Sequence, residues 1–130
     1  MPLYDLKKLQ ELIRDGQYQY LNEEDGRKWR GLAWKTMDNL GWEEEDLVKM
    51  LLALDECHWQ TTAQNCAVGN CYGLQGVDAD QYEIHWDEDE GVWREAPQLG
   101  LISISLKLAL IQLPSGDMAG LVTLHSSGSK

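Results

Sequence analysis

Apolar and polar residues alternate along LISISLKLALIQL, residues 101–113, and this alternation constrains the fold more than any other feature of the chain. A period of two residues is typical of a β-strand that buries one face and exposes the other. The pattern therefore predicts a long strand whose two faces differ in chemistry. Its inward set is Ile102, Ile104, Leu106, Leu108 and Leu110, and its outward set is Ser103, Ser105 and Lys107.

The first 54 residues have a helical period instead. In DLKKLQELIRDG the apolar residues recur at helical spacing, with Asp5 placed to cap the helix and Gly16 to end it. A second helix is expected from about Asn22 to Gly41, and a third in WEEEDLVKMLLAL, whose first turn is acidic. The buried stripe predicted for the third helix is Leu47, Met50, Leu51 and Leu54.

Beyond Leu54 the sequence predicts strands in CHWQTTA, QYEIHWD, VWREA and GLVTLHS, besides the long strand. Residues Gln64 to Ala79 hold several glycines and are expected to form a mobile loop. Helices followed by strands indicate an α+β fold, with N-terminal helices packed on one face of a C-terminal antiparallel sheet. The chain is expected to be a single domain, 1–130, with a helical part at 1–54 and a sheet at 55–127.

The net charge of −11 disfavours nonspecific attraction to nucleic acid or to an anionic membrane. No apolar run approaches the roughly 20 residues of a membrane span, and MPLYDLKK has no apolar signal core. We therefore expect a cytoplasmic protein with no membrane partner. We expect no metal and no cofactor, since reduced thiols are usual there. The alternative is zinc bound by Cys57, His58, Cys66 and Cys71.

The segment YEIHWDEDEGVWRE predicts a hairpin with a loop from Glu88 to Gly91. In that register Asp87 pairs with Val92, Trp86 with Trp93, and His85 with Arg94. The aromatic residues then face the core, and the opposite face is polar. In the last strand Val122 and Leu124 are expected to join the core. The polar residues expected to gather on the outer face are Glu83, His85, Arg94, Lys107 and His125.

These residue types suffice to cleave RNA without a metal. A carboxylate or a neutral imidazole can take the proton of a ribose 2′-OH, and a second imidazole can protonate the departing 5′-oxygen. Arg94 and Lys107 can stabilise the charge that builds on the phosphate. The alternative is a solvated polar face without chemistry, which antiparallel sheets often have. Arg27 and Arg30 are candidates for phosphate contact, or else part of a solvated helix face.

The chain resembles the MqsR family of toxins from bacterial toxin–antitoxin systems. PLYDLKKLQELIRDGQY is similar to the family's N-terminal helix and turn, and KTMDNLGWEEEDLVKMLLALDECHWQT to its helix–helix–strand segment. LISISLKLALIQL and GLVTLHSS correspond to its two closing strands. The resemblance implies a RelE-like fold and a sequence-selective mRNA interferase that does not need the ribosome. It also implies a cognate antitoxin as partner and mRNA as substrate.

The chain departs from the family where the family's chemistry lies. Gln60 replaces an expected lysine, which makes it a candidate substrate-binding residue. Leu101 or Ile102 replaces a tyrosine, and His125 or Ser126 lies near the place of a second lysine. The family's toxins are basic, whereas this chain is acidic. The alternative function is therefore a non-catalytic acidic module, an inhibitor that imitates nucleic acid and binds a basic partner.

Overall fold

The computed structural model describes residues 2–21, 32–66, 76–95 and 100–128. The helices are α1 (Leu6–Arg14), α2 (Leu32–Leu40) and α3 (Glu44–Ala53), and one turn of 3-10 helix covers Glu56–His58. The strands are β1 (Tyr18–Tyr20), β2 (Trp59–Cys66), β3 (Val77–Asp87), β4 (Val92–Arg94), β5 (Ile102–Leu113) and β6 (Gly116–Gly128). Within these ranges no helix combines the length and the apolar character that a bilayer crossing requires.

The expected α+β class, with N-terminal helices on one face of an antiparallel sheet, is wrong. Strands hold about half of the described residues, and the three helices among them are short. The six strands form one mixed sheet in the order β1-β6-β5-β3-β2, with β4 also paired to β3. The sheet is mixed because β1, which lies in the part expected to be helical, runs parallel to β6 with Tyr18 opposite Ala119.

The helix boundaries follow the signals in the sequence. Asp5 caps α1 by accepting a hydrogen bond from the Lys7 backbone N–H at 3.1 Å. Gly16 follows the helix at φ +79°, a conformation that favours glycine. At the start of α3 the Asp46 carboxylate accepts the Glu43 backbone N–H at 2.9 Å. The stripe predicted for the third helix is confirmed, since Leu47, Met50, Leu51 and Leu54 are all buried.

The predicted strand phase of β5 is confirmed through its first half. Ile102, Ile104, Leu106 and Leu108 are buried, whereas the intervening Ser103, Ser105 and Lys107 are only partly buried. The main buried cluster draws on α1, α2, α3, β3, β5 and β6. Its largest members include Leu9, Met37, Met50, Tyr82, Ile84 and Leu106.

The phase of β6 changes at a β-bulge. Lys107 pairs with Thr123, but the next residue of β5, Leu108, pairs with Leu121, so Val122 is an extra residue. Val122 is buried as expected, but the bulge keeps it out of the cluster that contains Leu124. Leu121 takes that place, and Val122 belongs to a second buried cluster. The second cluster comprises Leu21, Ala79, Ala109, Ile111, Met118 and Val122.

This second cluster lies on the face that the sequence predicts to be polar. Ala79 alternates in phase with Glu83 and His85 along β3, and Ala109 is in phase with Lys107 along β5. Leu21, which follows β1, is fully buried against it. The outer face is therefore polar over one half of its length and apolar over the other.

The N-terminal segment is fixed by one buried carboxylate. Asp80 in β3 is fully buried and accepts the backbone N–H groups of Leu3 and Tyr4, each at 2.8 Å. It also accepts the Thr62 hydroxyl at 2.6 Å. Three donors satisfy the carboxylate, which compensates the cost of its burial.

The loop expected from Gln64 to Ala79 is too long at both ends. Strand β2 continues to Cys66, and β3 already begins at Val77. The two strands pair across this region, with Ala63 opposite Ala79 and Cys66 opposite Val77. The expected mobility concerns residues 67–75, which lie outside the described residues.

Candidate functional site

The predicted hairpin register is confirmed. Strands β3 and β4 pair His85 with Arg94, Trp86 with Trp93, and Asp87 with Val92. The tight turn closes through the Gly91 backbone N–H, which donates to the Asp87 carbonyl at 2.8 Å. Gly91 has φ +68°, so the turn favours glycine at this position.

The polar half of the outer face consists of three cross-strand rows, which together we call the polar face. The first row is Arg94, His85 and Ser103. The second is Glu83, Ser105 and His125, and the third is Gln81, Lys107 and Thr123. All five residues predicted for this face therefore lie on it. Glu83, Arg94 and His125 are exposed, and His85 and Lys107 are partly buried.

Ser105 separates Glu83 from His125 in the second row, because its strand β5 lies between β3 and β6. Two strand spacings of roughly 4.8 Å put the backbones of Glu83 and His125 about 10 Å apart. Lys107 is the next outward residue on the same central strand. A carboxylate and an imidazole thus flank a strand that carries a hydroxyl and a cation.

A neighbouring strand fixes one ring nitrogen of His85. His85 Nδ1 lies 3.0 Å from Ser103 Oγ, its cross-strand partner. A hydroxyl can donate to this nitrogen or accept from it, so the contact suits either tautomer. It restricts the ring and leaves Nε2 as the nitrogen that can meet a ligand.

Arg94 forms an ion pair on the same face. Its Nη2 lies 3.2 Å from Asp87 Oδ2. The backbone N–H of Glu90 lowers the pKa of Asp87, and the hydrogen bond and charge of Arg94 lower it further. The carboxylate is therefore ionised near neutrality and offsets the charge of Arg94. Among the predicted residues that the structure describes, Lys107 is the second cation.

A cleft of about 330 Å³ adjoins the polar face at the edge of β3. Strands β2 and β4 pair with this edge one after the other along β3. The pairing with β2 stops at Tyr82, and the pairing with β4 begins at His85. Glu83 and Ile84 lie between these two pairings. In the described part of the chain they have a strand partner only on the β5 side. We call this space the edge cleft; its walls include His58, Gln60, Glu83, His85, Trp93 and Glu95.

His58 is a site residue that sequence reasoning treated only as a zinc ligand. It is 7% exposed, and its Nδ1 accepts the Asp55 backbone N–H at 2.9 Å. A neutral ring that accepts at Nδ1 carries its proton on Nε2. That Nε2 is buried and has no hydrogen-bond partner among the described residues. Burial lowers the pKa of His58, and the nearby His85 adds to the effect, while Asp55 opposes it.

Trp93 explains how His58 is held in place. The two rings meet edge to face, with centroids 4.5 Å apart and an interplanar angle of 89°. Trp93 also pairs with Trp86 across the hairpin, so the hairpin positions the cleft wall. This contact joins residues 35 positions apart in sequence, and no local pattern predicts it.

The cysteines give no support for the zinc alternative in the described ranges. Cys57 is exposed and Cys66 partly buried, and both are free thiols. No three His, Cys, Asp or Glu side chains of these ranges come together in a way that suits a metal. Cys71 lies outside the described residues. Partial desolvation and the nearby charge of Asp55 raise the pKa of Cys57, so its thiol is not activated.

The remaining predicted residues have different outcomes. Gln60 lines the edge cleft beside His85. Arg27 and Arg30 lie outside the described residues. The sequence did not predict the edge cleft itself, because the cleft depends on where two separate strands stop along β3.

No protein-family model, curated protein or solved structure matches this chain.

Proposed function

We propose that this chain is a toxin-like, sequence-selective endoribonuclease related to the MqsR family, which cleaves mRNA in the cytoplasm without a metal. The observation that carries the proposal is the second row of the polar face, Glu83–Ser105–His125. It holds a carboxylate and an imidazole on opposite sides of one strand. His85 and Lys107 lie in the adjoining rows.

In the proposed reaction the ribose 2′-oxygen attacks the neighbouring phosphorus. His85 takes the proton of the 2′-OH through Nε2, and Glu83 beside it supports the positive charge that forms on the ring. As the O2′–P bond forms, the P–O5′ bond breaks, and His125 protonates the leaving 5′-oxygen. The products are a 2′,3′-cyclic phosphate and a 5′-hydroxyl. Each proton transfer is worth on the order of a hundredfold to ten-thousandfold in rate.

Lys107 supplies the charge that stabilises the phosphorane-like transition state. It lies on β5, between the strands that carry the two proton-transferring histidines. Arg94 contributes less, because Asp87 offsets its charge. Lys107 and Arg94, the two predicted cations among the described residues, would together give a slope of log affinity against log salt of about −1.4. A cognate antitoxin that binds the polar face would block this site.

Induced expression, scored for growth arrest and transcript decay, tests the proposal. His85→Ala and His125→Ala should each lower cleavage of a purified RNA at least about a hundredfold. Lys107→Ala should also lower it, whereas Lys7→Ala, the same change on an exposed residue of α1, should not. Full activity in the His85→Ala, His125→Ala double variant would refute the proposed site.

The second candidate function is an acidic module that binds a basic protein. The observations that favour it are the net charge of −11 and the ion pair that engages Arg94. This function predicts neither growth arrest nor transcript loss. It predicts instead a stable complex with a basic partner that weakens as salt rises.

A further inference from the structure

The geometry points to the edge cleft as a pocket for one unstacked nucleobase that bears an exocyclic amino group. The inference rests on the proposed RNA cleavage and adds a substrate preference to it. The cleft adjoins His85, so a base held there would position the neighbouring ribose and phosphate on the polar face. Proteins that recognise single-stranded RNA commonly bind splayed bases by stacking and by edge hydrogen bonds.

The first support is the buried N–H of His58. Its Nε2 has no hydrogen-bond partner among the described residues, although the ring is 93% buried as part of the cleft wall. A buried donor without an acceptor is costly, and such exceptions call for an explanation. Nε2 is itself closed to solvent, so a ring nitrogen or carbonyl oxygen of a base would satisfy it after a small shift of the His58 ring towards the cleft. The Gln60 side chain on the same wall adds a second donor.

The second support is the charge of the cleft. Glu83 and Glu95 contribute two carboxylates, while the charge of Arg94 is offset by Asp87. Carboxylates repel a phosphate but accept hydrogen bonds from amino groups. The preferred occupant is therefore the uncharged base and not the RNA backbone. Adenine, guanine and cytosine each combine an acceptor with an amino group, whereas uracil has no amino group.

The third support is size. A volume of about 330 Å³ is at the lower end of the range for ligand clefts, which suits a single planar ring system. Trp93 contributes an aromatic surface to the wall, and the edge contact with His58 holds its ring in place. Aromatic side chains are the usual stacking partners of unpaired bases.

The test uses 2′-O-methyl hexauridylate, and hexamers in which one central uracil is replaced by adenine, guanine or cytosine. At least one amino-bearing hexamer should bind the full chain about tenfold more tightly than hexauridylate. His58→Asn retains an acceptor near the place of Nδ1 but lacks the Nε2 donor, and His58→Phe retains a ring. Both variants, and Glu95→Gln, should reduce this preference to less than about threefold. Glu90→Gln, the same charge change at the exposed hairpin tip, should leave it unchanged.

Equal binding of all four hexamers would overturn the inference, as would an unchanged preference in all three cleft variants. Tighter binding of hexa-arginine than of any hexamer, lost in Glu95→Gln, would also overturn it and favour the acidic binding module. The hexamers lack a free 2′-OH and cannot be cleaved, so the two proposals can fail separately. Selective binding without cleavage of ordinary RNA refutes only the enzyme, and cleavage without selectivity refutes only the base pocket.

Discussion

The Arg94 guanidinium binds the Asp87 carboxylate on the face of the hairpin that also carries His85, with Nη2 and Oδ2 3.2 Å apart. Arg94 therefore lies where a phosphate clamp is expected, but an acidic neighbour on its own hairpin engages it. Sequence reasoning predicted the location of this cation correctly. It did not predict that Asp87 engages the cation and so makes it less available to a ligand.

Asp87→Asn should increase RNA affinity by about threefold at low salt, because it frees the charge of Arg94 while an amide oxygen remains to accept the Glu90 backbone N–H. The dissociation constant for a noncleavable RNA, measured from 50 to 300 mM salt, checks this. Asp89→Asn, the same change on an exposed neighbour, is the control. Equal gains in both variants would mean that only net charge matters.

Asp80→Ala should lower the free energy of unfolding by about 3 kcal/mol, because two backbone N–H groups and the Thr62 hydroxyl lose their acceptor. Urea unfolding measures this change. Hydrogen exchange at Leu3 and Tyr4 should quicken in the same variant. Asp78→Ala, which removes an exposed carboxylate that accepts the Asn65 backbone N–H, should cost less. A loss no larger than that of the control would contradict the role of Asp80.

Acid should destabilise the chain partly through His58. Burial lowers the pKa of His58 in the folded state below its ordinary value of 6.5, so the unfolded chain binds the proton more readily. Stability from this residue is complete above that value and is lost as the pH falls through it towards the folded pKa. Urea unfolding at pH 7.5 and pH 5 should show a smaller loss for His58→Phe than for the native chain. An equal loss would show that carboxylates alone cause the effect.

Gly120→Ala should destabilise the fold by about 1–3 kcal/mol, because its Cβ would overlap Leu21 Cδ1 and lie 3.3 Å from Ile111 Cγ1. Leu21→Ala alone should also cost stability, since Leu21 is fully buried. If the two side chains compete for one space, the double variant should be more stable than the sum of the two losses predicts. Strict additivity in urea unfolding would place the two effects in separate spaces.

The parts of the structure that follow from local rules could be predicted from sequence. The cap at Asp5, the buried stripe of α3, the phase of β5 and the hairpin register all depend on neighbouring residues or on a short loop. The parallel strand at Tyr18 could not be predicted, because three residues carry too little pattern and their partner lies about a hundred residues away. The second cluster was missed because one extra residue, Val122, changes the phase of β6.

The candidate site divides in the same way. The polar face follows from alternation, so its residues were found, whereas the edge cleft depends on the ends of β2 and β4 along one edge. His58 illustrates the difference. Its partner Asp55 is close in sequence, whereas its partner Trp93 is far away in sequence. The contact with Trp93 makes His58 part of the cleft.

The extra residue Val122 divides β6 into two parts. One part contributes to the polar face and the other to the second buried cluster. On one side of it, Thr123 and His125 lie in register with the other residues of the polar face, and on the other side Met118 belongs to the second buried cluster. Deletion of Val122 would leave Leu121 and Thr123 as consecutive residues opposite Leu108 and Lys107, so both ends of β6 would keep their present faces. Val122 thus adds apolar surface to the second cluster while the register of the polar face depends only on the pairs on its other side.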